Sequence, residues 1–91
     1  MVRKKPLLEQ FRDNPRNDWQ IRDIEKLCNQ VGLNLQPPGN GSHYKVYSDH
    51  LRDALTIPAR RPIKPPYIRS LVSYAYAHIA NLNDKAGNDD D

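Results

Sequence analysis

His43, Lys45 and Tyr47 occupy alternate positions in the run His43-Tyr44-Lys45-Val46-Tyr47. Alternate residues of an extended strand share a face, so an imidazole, an ammonium and a phenol stand side by side. Such a trio can meet a phosphate and a base. Metal-free RNA cleavage needs few parts: a base takes the ribose 2′-OH proton, and the freed oxygen attacks the neighbouring phosphorus. Cations stabilise the charge that builds on the non-bridging oxygens. An imidazole, whose ordinary pKa is about 6.5, suits proton transfer near neutrality. In this reading His43 moves the proton and Lys45 contacts the phosphate. Arg60, Arg61 and Lys64 hold the RNA backbone, and Tyr47 stacks an unpaired base. No acid for the leaving 5′-oxygen is evident. The same pattern also fits a strand-end histidine with an ordinary surface role.

These side chains need a turn and a strand to present them. Gly41 can take a positive φ and Ser42 can bond its own backbone, so a tight turn delivers His43 to the start of a strand over residues 43–47. Tyr44 and Val46 then face the core. Leu33 to Gln36 is a shorter strand before the turn, and Ala54 to Pro58 a third after it. Leu33, Leu35, Leu55 and Ile57 join the inner face. Short connections imply an antiparallel meander with one packed face and one polar face.

Helices flank the strands. Ile21, Ile24, Leu27, Cys28 and Val31 recur at helical spacing, which predicts a helix from about Asp18 to Val31 with Gly32 as its exit. Asn17 and Gln20 have capping-box spacing. Cys28 lies in the apolar stripe and reads as a buried structural thiol. Ile68, Leu71, Val72, Ala75, Ile79 and Leu82 predict a last helix from Pro66 to about Leu82. His50 falls in a turn and His78 on the exposed side of that helix. Tyr67, Tyr74 and Tyr76 read as helix surface and packing rather than base platforms. Leu7, Leu8 and Phe11 form one face of a short helix opened by Pro6 and stopped by Asn14-Pro15. The organisation is an arm (residues 1–16), a domain (17–83) and a disordered acidic tail (84–91).

Ninety-one residues make one domain. No apolar run approaches the roughly 20 residues that span a bilayer, and no apolar stretch follows the basic start, so neither a membrane partner nor a signal peptide is expected. One cysteine fits a reducing cytosol. Three scattered histidines and one cysteine lack metal-ligand spacing, so no metal or cofactor is expected. The net charge of +3 hides an asymmetry: no acid lies between Ala54 and Asn83, where Arg60, Arg61, Lys64 and Arg69 fall within ten residues. That distribution suits a polyanionic partner or a solvated charged loop.

The fold class is therefore α+β, an α-β-β-β-α order with a three-stranded antiparallel sheet and both helices on one face. Double-stranded-RNA-binding domains share this order, though order alone does not establish function. A ribonuclease, an RNA-binding module without chemistry, and a protein-interaction domain all remain open.

Three motifs in succession narrow the choice. Gly41-Ser42-His43-Tyr44, then Leu55-Thr56-Ile57-Pro58, then Arg60-Arg61-Pro62-Ile63-Lys64-Pro65 leading into a helix, resemble the HicA toxin family of bacterial toxin–antitoxin systems. Asn14-Pro15-Arg16-Asn17 looks like the lead-in of one branch. The resemblance covers about residues 14–82. It implies a double-stranded-RNA-binding-like fold and an endoribonuclease, a hydrolase that cuts mRNA in the cytoplasm. The toxin itself is expected to be a monomer, neutralised by a cognate HicB-like antitoxin. The family's catalytic histidine maps onto His43. Many members carry a second histidine immediately after it; here that position is Tyr44, so His43 has no adjacent imidazole.

Overall fold

Three helices and three strands follow in the order α1 (Leu7–Asp13), α2 (Ile21–Val31), β1 (Asn34–Gln36), β2 (His43–Tyr47), β3 (Ala54–Pro58) and α3 (Pro65–Gly87). This computed structural model describes the backbone of residues 5–87 and the side chains of residues 5–82. The result is a small α+β domain whose sheet runs β1-β2-β3, antiparallel throughout, as the short connections predict. No helix among the described residues is long and apolar enough to cross a membrane.

Register decides which side chains meet water. Leu35 pairs with Val46, Val46 with Leu55, and Tyr44 with Ile57. Val46 and Ile57 are fully buried, and this face meets Ile24 and Leu27 of α2 and Ile68 and Leu71 of α3 in one core. His43, Lys45 and Tyr47 face the opposite way with Thr56 and are exposed. A one-residue slip would bury the imidazole and expose Val46, so the hydrophobic pattern also fixes the polar face.

Helix α2 begins at Ile21, later than the spacing of Asn17 and Gln20 suggests. The box is set one turn on: the Asp23 carboxylate accepts from the Gln20 backbone N–H at 2.9 Å. The lead-in is drawn out of the helix by Trp19. Its ring is buried edge-on against Phe11, with centroids 4.2 Å apart, and its indole N–H donates to the Asn14 carbonyl at 2.8 Å. Gly32, at φ 85°, ends the helix as expected. Helix α1 lays Leu8 and Phe11 into the same core and packs on α3, where Arg12 donates to the Tyr76 hydroxyl at 3.1 Å.

Helix α3 departs from expectation in three ways. It starts at Pro65 and continues to Gly87 rather than stopping at Leu82, taking in the first part of the expected tail; residues 88–91 lie outside the described residues. Leu82, at the end of the apolar stripe, is exposed. His78, expected on the solvent side, is buried. Its Nε2–H donates to the Val31 carbonyl at 2.9 Å, satisfying a group that the last turn of α2 leaves without a helical partner. Its Nδ1 faces the Ser48 hydroxyl at 2.7 Å, and Ser48 Oγ also accepts from the His50 backbone N–H. The Tyr74 hydroxyl accepts from the Ser48 N–H and donates to the Asp53 carbonyl. This polar cluster pins the β2–β3 turn to both long helices.

Cys28 is buried in the α2 stripe, as the periodicity predicts. Burial, with Glu25 adding a smaller push, raises its thiol to about 11. The folded state thus holds the thiol proton more tightly than the unfolded chain does. That contribution to stability is complete below the ordinary thiol pKa of about 8.5 and fades as pH rises towards 11. Labelling by a disulfide reagent at pH 8 is therefore expected to proceed only as fast as the chain opens, and to become rapid in denaturant. Rapid labelling of the native protein would contradict this placement.

Candidate nucleic-acid interface

Gly41 takes φ 84°, a conformation that costs a residue with a Cβ, and the chain turns there straight into His43. His43 pairs with Pro58, and the ladder closes one step beyond, where the Ala59 N–H donates to the Ser42 carbonyl at 2.7 Å. The segment leaving β3 therefore starts beside the imidazole. Its course is then fixed by Ile63, whose side chain is buried in the core and whose N–H donates to the Trp19 carbonyl at 2.9 Å. The Arg61–Pro62 peptide is cis. Helix α3 opens directly after, with the Ile68 N–H reaching back to the Lys64 carbonyl.

This path folds the loop over the first residue of β2 and makes a cleft of about 400 Å³ lined by Ser42, His43, Pro58, Arg60, Pro62, Lys64 and Tyr67. Three of the residues expected at the site, His43, Arg60 and Lys64, meet there. Among the described residues the ion pairs engage Lys5, Arg12 and Arg61, so Arg60 and Lys64 keep their charge for a ligand. Because Pro65 and Pro66 carry no N–H, the start of α3 offers an anion few backbone donors, and the two cations must supply the attraction.

The other expected residues are placed elsewhere. Arg61 turns away and grips Asp18 in a forked contact, Nη2 to Oδ2 at 2.8 Å and Nε to both oxygens at 3.1–3.2 Å. Lys45 shares the face of His43, opposite Thr56 and Gln36, about 7 Å further along the strand. Tyr47 stands at the far end of β2 opposite Ala54 and Asn34, about 13 Å from His43 by strand rise. Neither lines the cleft. His50 and His78 lie together elsewhere, ring centroids 5.9 Å apart. Among the described residues no three His, Cys, Asp or Glu side chains gather as a metal-binding group.

Tyr67 is exposed on the helix, as the sequence predicts, and it also lines the cleft, which the sequence reading does not anticipate. A signal was present. Tyr67 follows Lys64 by three residues at the start of a helix, and helical side chains lean towards the N-terminus, over the preceding loop.

The Arg61–Asp18 contact holds the Asp18 carboxyl below the usual carboxylate range, chiefly through the hydrogen bond. A lowered carboxyl contributes stability above its unfolded pKa of about 3.9, lost as pH falls through the folded value. The Asp18 carboxyl is therefore ionised at neutral pH, as its contact with Arg61 requires. Because both side chains are well exposed, Asp18→Asn is expected to cost little stability. It frees Arg61, so, on the expectation that the polyanionic partner is RNA, affinity for a single strand should rise a few-fold at low salt. The slope of log affinity against log salt should steepen by about 0.7. An unchanged slope would show that Arg61 does not reach the strand.

No family model, no curated protein and no solved structure matches this chain. Its site is therefore read from chemistry: an imidazole beside two free cations can take a proton from a hydroxyl next to a phosphate and hold the charge that develops on phosphorus oxygens.

Proposed function

We propose that this chain is a HicA-like toxin endoribonuclease with a double-stranded-RNA-binding-like fold, which cleaves mRNA without a metal in the cytoplasm. A HicB-like antitoxin would silence it by covering the cleft. The motif order and the α2-β1-β2-β3-α3 succession support this reading. One observation carries it: His43 shares a cleft with Arg60 and Lys64, residues far from it in sequence. His43 takes the 2′-OH proton, O2′ bonds to the adjacent phosphorus, and the bond from phosphorus to O5′ breaks. The leaving oxygen is protonated by the imidazolium or by water. The products are a 2′,3′-cyclic phosphate and a 5′-hydroxyl end.

The deciding assay incubates purified protein and structured mRNA with a chelator, comparing wild type with His43→Ala at equal folding and RNA affinity. Cleavage by wild type alone, giving cyclic phosphate ends, supports the proposal. Equal cleavage by both proteins sinks it. A non-catalytic RNA-binding module is the second reading, favoured by the single imidazole in the cleft. Binding by both proteins with cleavage by neither selects that reading.

A further inference from the structure

The cleft is lined by two unlike kinds of residue. Ser42, His43, Arg60 and Lys64 bring a hydroxyl, an imidazole and two cations, whereas Pro58, Pro62 and Tyr67 bring two apolar pyrrolidine rings and one flat aromatic ring. Phosphate alone has no use for the rings. A nucleotide uses both kinds, and about 400 Å³ sits at the small end of ligand pockets, enough for one such unit.

We propose that Tyr67, backed by Pro58 and Pro62, forms a nucleobase subsite that stacks one unpaired base of a single-stranded RNA while Arg60 and Lys64 hold its phosphate. The proposal rests on the reading of the cleft as an RNA site, and narrows it to a strand whose base is splayed out. A base inside a duplex is stacked on its neighbours and cannot lie on a tyrosine. Modules that grip duplex RNA instead spread contacts over two minor grooves and about 16 base pairs. Among the described residues, two of the elements that would have to share such contacts offer no continuous basic surface. The β1–β2 turn, Pro37 to Ser42, carries no cation, and the exposed side of α2 mixes Arg22, Glu25, Lys26, Asn29 and Gln30.

Tyr67 is the α3 tyrosine placed for this task. Tyr74 is buried and ties the hydroxyl to the β2–β3 turn, and Tyr76 bonds Arg12 of α1. Tyr67 is exposed in the first turn of α3, on the cleft side, three residues after Lys64. It also replaces Tyr47, at the other end of β2, as the stacking group.

The test uses a 2′-O-methyl oligoribonucleotide carrying 2-aminopurine, which offers no 2′-OH and so reports binding without cleavage. It is titrated single-stranded, annealed to its complement, and against adenosine monophosphate as competitor. Wild type should bind the single strand best and change the 2-aminopurine emission. Tyr67→Leu should weaken that binding roughly 10- to 100-fold and abolish the emission change, since stacking on an aromatic ring is worth about that much per base. Tyr67→Phe should stay near wild type. Unfolding midpoints check that each variant is folded. If Tyr67→Leu behaves as wild type while Arg60→Ala with Lys64→Ala loses binding, the base subsite is overturned and the RNA site stands. Equal affinity for the duplex overturns the single-strand claim, and mononucleotide binding as tight as the strand assigns the cleft to free nucleotides. No binding of any RNA by wild type overturns both the subsite and the functional reading.

Discussion

His43→Ala is expected to slow RNA cleavage by about two to four orders of magnitude, the usual worth of a positioned proton-transfer group. The side chain is exposed at the start of β2 and is not part of the core, so the loss should come without unfolding. RNA affinity should change little, because Arg60 and Lys64 remain in the cleft. Two controls separate chemistry from structure. His78→Ala removes a buried ring bonded to Val31 and near Ser48, so any loss of activity there should follow a lowered unfolding midpoint. His50→Ala, with its ring away from the cleft, should cleave like wild type once folded. Added imidazole should restore part of the activity of His43→Gly, and a substrate with deoxyribose at the cut position should resist wild type. Undiminished cleavage by His43→Ala would remove the imidazole from the mechanism.

The strands and their faces were legible because their signals are local. Alternation along His43–Tyr47 and Ala54–Pro58, with a glycine where a positive φ is needed, predicts the observed boundaries of β2 and β3. The cleft was half legible for the same reason, since the motif order points at His43 and the loop cations. What failed depends on distant partners. His78 lies three residues after Ala75 and seven after Leu71, inside the apolar stripe by position. Its polarity argued for solvent, because the groups that accommodate it, Ser48 and the Val31 carbonyl, lie 30 and 47 residues away. Arg60 and Arg61 look interchangeable in sequence, yet Asp18, 43 residues before Arg61, takes one of them and leaves the other. The start of α2 moved because Trp19 found Phe11, a contact that no helical periodicity reports.

That contact carries the second large effect. Phe11→Ala is expected to lower the unfolding free energy by about 3–5 kcal/mol, the range for a fully buried phenylalanine whose site cannot collapse. Phe11 is completely buried. Its loss would leave the Trp19 ring without its edge-on partner and take from α1 the largest side chain it buries. Small domains have only about 5–15 kcal/mol in all, so such a loss is a large share of the total. The consequence should reach the cleft by a short path. The Trp19 carbonyl accepts the Ile63 N–H, and buried Ile63 anchors the loop that carries Arg60 and Lys64. At a temperature where Phe11→Ala is still folded, RNA affinity should therefore fall although residue 11 is absent from the cleft lining. Urea unfolding monitored by Trp19 fluorescence measures the first effect, and titration with single-stranded RNA at low temperature measures the second. A stability loss under about 0.5 kcal/mol, within the range of surface substitutions and well below the burial range, would make α1 an appendage. The full loss would make residues 7–13 part of the core that holds the basic loop in place.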